Sequence, residues 1–236
     1  MDVHRTMLTI LITLSLFYVG FTQTFAEPKD IKNFSNAWAL SLTSGQYSTG
    51  YVNDFYQIEI GYTNHEFDFN DIESPYIFNN DTVGKVHLQS IYTQVDLPIS
   101  IQLGFKFGLP LNKNELNAST NIYGFLGKWQ LSRLFYDDYP AISVLFQKDF
   151  LKLNSTHDLS VFAVHGIMSQ KLWVISLNAG LTYTKTDLTF NGTDTTERQF
   201  LYKAGAMIDL TYIKLFAEKT FHTYKNNITF GASIVF

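Results

Sequence analysis

The sequence has no cysteine in its 236 residues. That absence removes disulfide staples, thiolate nucleophiles and every cysteine-held iron–sulfur or zinc site. Charge is also scarce: Asp, Glu, Lys and Arg make up 16% of the chain, 17 basic residues against 21 acidic, for a net charge of −4. No basic stripe runs anywhere along it, so a nucleic-acid partner is excluded. Beyond the first segment no apolar run approaches 18 residues, and a helical membrane protein is excluded with it. What is abundant is aromatic: 21 Phe, 14 Tyr and 3 Trp. So many rings with so little net charge do not describe a disordered chain.

The first segment reads as an export signal. Arg5 precedes an apolar stretch from Met7 to Phe21, and Thr24-Phe25-Ala26 supplies small residues ahead of polar Glu27-Pro28-Lys29-Asp30. The expected organisation is a signal peptide over residues 1–26, cleaved after Ala26, an N-terminal segment over 27–54, and a β-domain over 55–236.

That β-domain is written with a period of two. Ile99, Ile101, Leu103, Phe105, Phe107 and Leu109 share one face, while Ser100, Gln102, Gly104, Lys106 and Gly108 share the other. Trp173 to Thr184 repeats the pattern, as do runs from Tyr56, Tyr123, Phe200 and Ile228. Val86–Asp96, Ala141–Phe150, Leu159–Met168 and Lys214–His222 are strand-like with less distinct faces. Short turns are expected at Leu97-Pro98, Tyr136–Pro140, Ser169–Leu172 and Thr211–Ile213. Mostly longer links fall at Phe67–Gly84, Pro110–Ser119, Leu151–Asp158 and Thr189–Arg198, with a shorter one at Thr223–Asn226. Turns sorted by length onto two sides describe an all-β, antiparallel transmembrane barrel with short periplasmic turns and longer outer loops. Counting back from the C-terminus gives ten strands. Residues 27–54 then either tuck Ala37–Leu42 into the lumen as a plug, the favoured reading, or add a strand pair and make twelve.

Composition assigns the faces. The less apolar face carries small and uncharged polar residues with a few charges, which suits a narrow lumen better than open solvent. Glu59, Lys106, Lys128, Lys203, Asp209 and Glu218 are the expected lumen-lining charges, paired for desolvation reasons. Aromatic residues such as Tyr56, Trp129, Trp173, Tyr212 and Phe236 fall toward strand ends, where amphipathic rings favour the headgroup level.

The ending Asn227-Ile228-Thr229-Phe230-Gly231-Ala232-Ser233-Ile234-Val235-Phe236 resembles the closing strand of Gram-negative outer-membrane β-barrel proteins. The resemblance implies the outer membrane as location, its lipids as surroundings, and the barrel-assembly machinery as a partner during biogenesis. It picks out no subfamily.

Chemistry is harder to find. His165 and Ser169 share a strand face about 13 Å apart, too far for a nucleophile and its base. The acidic link His65 to Glu73 lacks the spacing and glycine of an EF-hand. Asn33, Asn80, Asn117, Asn154, Asn191 and Asn227 open glycosylation-type triplets, but Asn227 opens the best strand, where a glycan sits poorly. The expectation is a monomeric barrel that is not an enzyme and takes no metal or cofactor. It is porin-like and passes small polar solutes or ions through a narrow pore. The alternative is a closed structural barrel that acts through its outer loops, with an outer-membrane enzyme third.

Overall fold

The computed structural model describes residues 29–45, 49–53, 55–68, 85–109, 120–134, 140–153, 157–190, 193–222 and 226–236. The signal-like segment, most of the links Phe67–Gly84 and Pro110–Ser119, and the turn at Tyr136–Pro140 apart from Pro140 lie outside the described residues.

A helix α1 (Lys29–Leu42) precedes the strands β1 (Gln57–Asp68), β2 (Lys85–Leu97), β3 (Ile101–Gly108), β4 (Thr120–Gln130), β5 (Ala141–Leu153), β6 (His157–Leu172), β7 (Ile175–Phe190), β8 (Thr193–Asp209), β9 (Ile213–Phe221) and β10 (Asn226–Val235). Each strand pairs antiparallel with its neighbours in sequence, and β1 pairs with β10 to close the barrel. At the seam the backbones of Ile58 and Phe236 exchange hydrogen bonds at 3.2 and 2.9 Å. Closure leaves no unpaired edge among the described strands.

The period-two pattern has the expected consequence. On β3, Leu103 is 51% exposed on the outside while Gln102 is 4% exposed on the inside. Ile60, Phe107, Phe125, Phe146, Leu177, Phe200 and Phe230 also face outward and stay exposed. A continuous apolar belt of this kind is untenable in water and is what a lipid-facing wall requires. From Trp173, 88% exposed just before β7, to Tyr183 midway along it is about ten residues, or roughly 25 Å of height at the tilt a closed barrel needs. That height matches the apolar band of an outer-membrane barrel.

Among the described residues, the connections β2–β3, β6–β7 and β8–β9, at the end where β1 starts and β10 stops, are tight; the turn expected at Ser169–Leu172 falls at Trp173–Val174, because β6 runs to Leu172. Ser100, Trp173 and Thr211 each adopt a positive φ of 59°, 59° and 73° there. At the opposite end the sequence reading needs one revision. The links expected at Leu151–Asp158 and Thr189–Arg198 are mostly strand: β5 runs to Leu153, β6 starts at His157, β7 reaches Phe190 and β8 starts at Thr193. These strands continue past the apolar belt, where the outer face turns polar, with Lys152, Asp158 and Asp194 on it, and the outward-apolar alternation that marks a strand in the sequence fades.

The blurred strands also have a cause. Inside the barrel, Leu88, Ile122, Leu151, Leu159, Val161, Leu188 and Leu201 are buried and face inward. They form an apolar collar in the half of the barrel away from the tight turns, so β2, β5 and β6 carry apolar residues on both faces.

Candidate functional site

The lumen is occupied by the chain's own N-terminal segment. Residues 35–45 are buried throughout, with Trp38 and Leu42 fully enclosed. The helix packs against β7, β8, β1 and β6. Asn36 O accepts from Gln199 Nε2 at 3.3 Å in the outer half, and Asn53 N donates to Asp96 Oδ2 at 3.1 Å near the tight turns. The segment therefore runs down the barrel axis, from the long-strand end to the tight-turn end.

A helix leaves its last carbonyls without partners inside itself, and burial makes each one costly. Here every one is met. Thr43 Oγ1 donates to Ala39 O at 2.7 Å and Ser44 Oγ to Leu40 O at 2.5 Å. The backbone N of Ser44 donates to Ser41 O at 3.4 Å. Lys106 Nζ and Gln147 Nε2 donate to Leu42 O at 2.5 and 3.0 Å, and Lys203 Nζ donates to Thr43 O. The helix has no basic residue in its own last turn, so the wall supplies the cations that its negative end favours.

Below the helix the wall grips extended backbone. Lys128 Nζ donates to Thr49 O at 3.0 Å, Gly50 N to Ser169 Oγ at 2.6 Å, Ser143 Oγ to Gly50 O, and Val52 N to Gln130 Oε1 at 2.8 Å. Gly45 marks the bend between the two parts. Its φ is 77°, its N donates to Glu218 Oε1 at 3.1 Å, and a Cβ there would overlap Thr229 and His65.

The expected lumen charges divide into two groups. Lys106, Lys128 and Lys203 are buried and bond the plug's backbone. Glu218 is buried 3.6 Å from Lys203, and Glu59 is buried 2.7 Å from Lys214 while accepting from Tyr92 Oη at 2.9 Å. Asp209 sits at the tight-turn end, half-buried, 3.5 Å from Lys171. Sequence reasoning missed Asp96, Asp149 and Lys214. Asp149 is fully buried 2.9 Å from Lys106, and Asp96 accepts from Gln102 Nε2 at 2.6 Å. Parity held the signal: with Phe146 and Phe150 on the lipid side, Gln147 and Asp149 must face inward.

The histidines and serines considered for catalysis are engaged elsewhere. His165 Nδ1 lies 2.7 Å from Thr182 Oγ1, and Ser169 is bonded to Gly50. His65 belongs to the lumen wall, not to the acidic link, with Thr229 and Thr63 at 2.8 and 3.1 Å. No group of His, Asp or Glu among the described residues is gathered to hold a metal.

Under the plug, toward the tight turns, lies a cavity of about 350 Å³. Tyr51 and Asn53 of the plug line it together with Glu59, Asp96, Gln102, Lys171, Asp209 and Lys214 of the wall. It is a polar vestibule, stopped from above by the segment that Lys106, Lys128 and Lys203 hold.

No family model and no curated protein matches the chain. Several solved structures are similar in shape. The translocator domain of the autotransporter NalP from Neisseria meningitidis aligns over 86% of this chain and 94% of its own, at 9% identity and a TM-score of 0.46. The KdgM porin aligns over 75% and 98%, at 9% identity and a TM-score of 0.39. The Acinetobacter baumannii outer membrane protein Omp33 aligns over 77% and 98%, at 11% identity and a TM-score of 0.33. Scores below 0.5 leave the assignment to the chain's own geometry. With a closed barrel of ten antiparallel strands, an apolar outer belt and a polar, occupied lumen, the chain resembles the Gram-negative outer-membrane β-barrel proteins.

Proposed function

We propose that this protein is an outer-membrane channel for small polar solutes or ions, held shut by its own N-terminal segment. The observation that carries the reading is the character of the wall behind the plug. Lys106, Lys128 and Lys203 bond backbone carbonyls of the plug, Gln147 shares the Leu42 carbonyl with Lys106, and Gln130, Ser143 and Ser169 hydrogen-bond the backbone of Gly50 and Val52. A barrel filled only for stability would do better with apolar packing, because buried charges cost several kcal/mol each in desolvation. A wall of amides, hydroxyls and cations can exchange the plug's carbonyls for water when the segment moves, and then lines a wet pore. Export by a signal peptide cleaved after Ala26 belongs to the same reading, as does the absence of an enzymatic role: the inward hydroxyls and imidazoles named above serve the plug and the wall.

Planar-bilayer recording tests it. The intact protein should conduct poorly, with rare openings. A variant lacking Glu27 to Val52, shown to be folded by heat-modifiable gel migration, should conduct steadily. Silence from both forms would overturn the channel and favour a closed barrel acting through its outer loops.

A further inference from the structure

The lipid-facing wall carries a row of cations at the upper edge of its apolar belt. Register places them together: Lys148 on β5 is opposite Phe162 on β6, Phe162 opposite Lys185 on β7, and Lys185 opposite Arg198 on β8. Strands lie about 4.8 Å apart, so Lys148 and Lys185 flank one aromatic ring at a separation of about 10 Å. Lys185 and Arg198 are directly opposed like charges, an arrangement that destabilises a sheet unless an anion lies between them.

Three lysines on this wall lean the same way. Lys148 Nζ bonds Ser160 Oγ at 3.0 Å and lies 5.5 Å from the Phe150 ring. Lys185 Nζ reaches Asp187 at 3.1 Å, and Lys219 Nζ lies 5.1 Å from the Phe221 ring. In each case the partner stands nearer the long-strand end, so the ammonium groups rise away from the belt, as snorkelling side chains do at a membrane boundary. Aromatic pairs mark the same level: Tyr123 stacks on Phe150 with centroids 5.0 Å apart, and Tyr183 meets Phe200 at 5.3 Å.

Acids on this face compensate in part. Lys152 is opposite Asp158, and Asp187, held by Lys185, stands opposite the Ser160 that Lys148 bonds, so one acid serves both lysines, whereas Arg198 stands opposite another cation. We propose that Lys148, Lys185 and Arg198, around the Phe162 ring, bind the phosphate headgroup of an anionic lipid in the outer leaflet. The acyl chains would lie on the belt below, and phosphate oxygens would take the charge-assisted hydrogen bonds that the three side chains can donate. The inference rests on the membrane reading of the barrel, but not on the lumen's being a channel.

The test uses the full chain purified in detergent, with lipid retention followed by native mass spectrometry. Diphosphorylated lipid A is the probe and its dephosphorylated form the comparison, since both share the same acyl chains. The intact protein should retain the phosphorylated lipid preferentially. Replacing the three cations together (K148Q, K185Q and R198Q) should weaken that retention roughly a hundredfold, at about fivefold per cation near a charged headgroup. Binding of the dephosphorylated lipid should not change. The variant pair K148R and K185R, which keeps the charge, should bind like the intact protein and guards against a folding defect in the triple variant. Equal retention of the two lipids by the intact protein, or undiminished binding by a folded triple variant, would overturn the site. Failure of the barrel to fractionate with the outer membrane is a separate result and bears on the membrane reading.

Discussion

Lys106 Nζ lies 2.5 Å from the carbonyl oxygen of Leu42, the last residue of α1. The same ammonium is 2.9 Å from Asp149 Oδ1, and both side chains are sealed from solvent. One wall cation thus ends the plug helix and neutralises a buried carboxylate. Lys106→Met should cost about 3 to 5 kcal/mol, because it strands the buried Asp149 without a countercharge, leaving it only the amide of Gln147. The double variant Lys106→Met/Asp149→Leu should recover most of that loss. Urea midpoints for loss of the folded gel band measure both, and equal midpoints for the single and double variants would show that Asp149 does not depend on Lys106.

The outward and inward faces of β3 differ at adjacent residues. Leu103 is exposed to lipid, whereas Gln102 lines the vestibule beside Asp96. Leu103→Arg near the bilayer midplane should cost about 2 to 4 kcal/mol. Gln102→Arg should cost much less, since its guanidinium can meet Asp96 in a hydrated cavity. The comparison is made by urea titration in lipid vesicles, and equal losses would reverse the assigned faces.

The strands were readable in the sequence wherever hydrocarbon lies on one side and polar groups on the other. On β3 and β10 the medium changes at every residue, and the side chains change with it. The code fails at two places for two reasons. Above the belt, the described parts of Leu151–Asp158 and Thr189–Arg198 are strand whose outer face is polar, so they read as loops. On the inner wall, Ile122, Leu151, Leu159 and Leu188 stand opposite one another in a buried row, and the polar face loses its polarity. The plug was legible only as Ala37–Leu42. Its helix begins at Lys29, and its Ser and Asn residues suit a polar lumen, giving no clean apolar stripe. Charge pairing required partners from strands far apart in sequence, which is why Asp149 and Lys214 escaped notice.

Gly61 makes room for Tyr92. A Cβ on Gly61 would overlap the Tyr92 ring, which lies across it and carries its hydroxyl to Glu59 at 2.9 Å. Gly61→Ala should push the ring aside, weaken that bond and cost about 1 to 3 kcal/mol. In the background of Tyr92→Ala the same substitution should cost far less, because the two residues share one contact. A double-mutant cycle on unfolding midpoints checks this, and additive losses would mean that the ring and the glycine do not interact.

The wall without its plug should discriminate little between anions and cations. At the depth of the plug, Lys106, Lys128, Lys203 and Lys214 are matched by Glu59, Asp96, Asp149 and Glu218. Removing Glu27 to Val52 takes carbonyl partners from three of these lysines but leaves their carboxylates in place. Reversal potentials under a salt gradient should therefore lie near zero for the plug-deleted barrel. Lys106→Glu in that background replaces a cation with a second acid beside Asp149, so the local potential turns negative and permeation should shift toward cations. The shift should shrink as ionic strength rises and screening shortens the reach of the charge. Strong anion selectivity of the plug-deleted barrel, or a reversal potential unmoved by Lys106→Glu, would mean that permeant ions take a path that does not pass these residues.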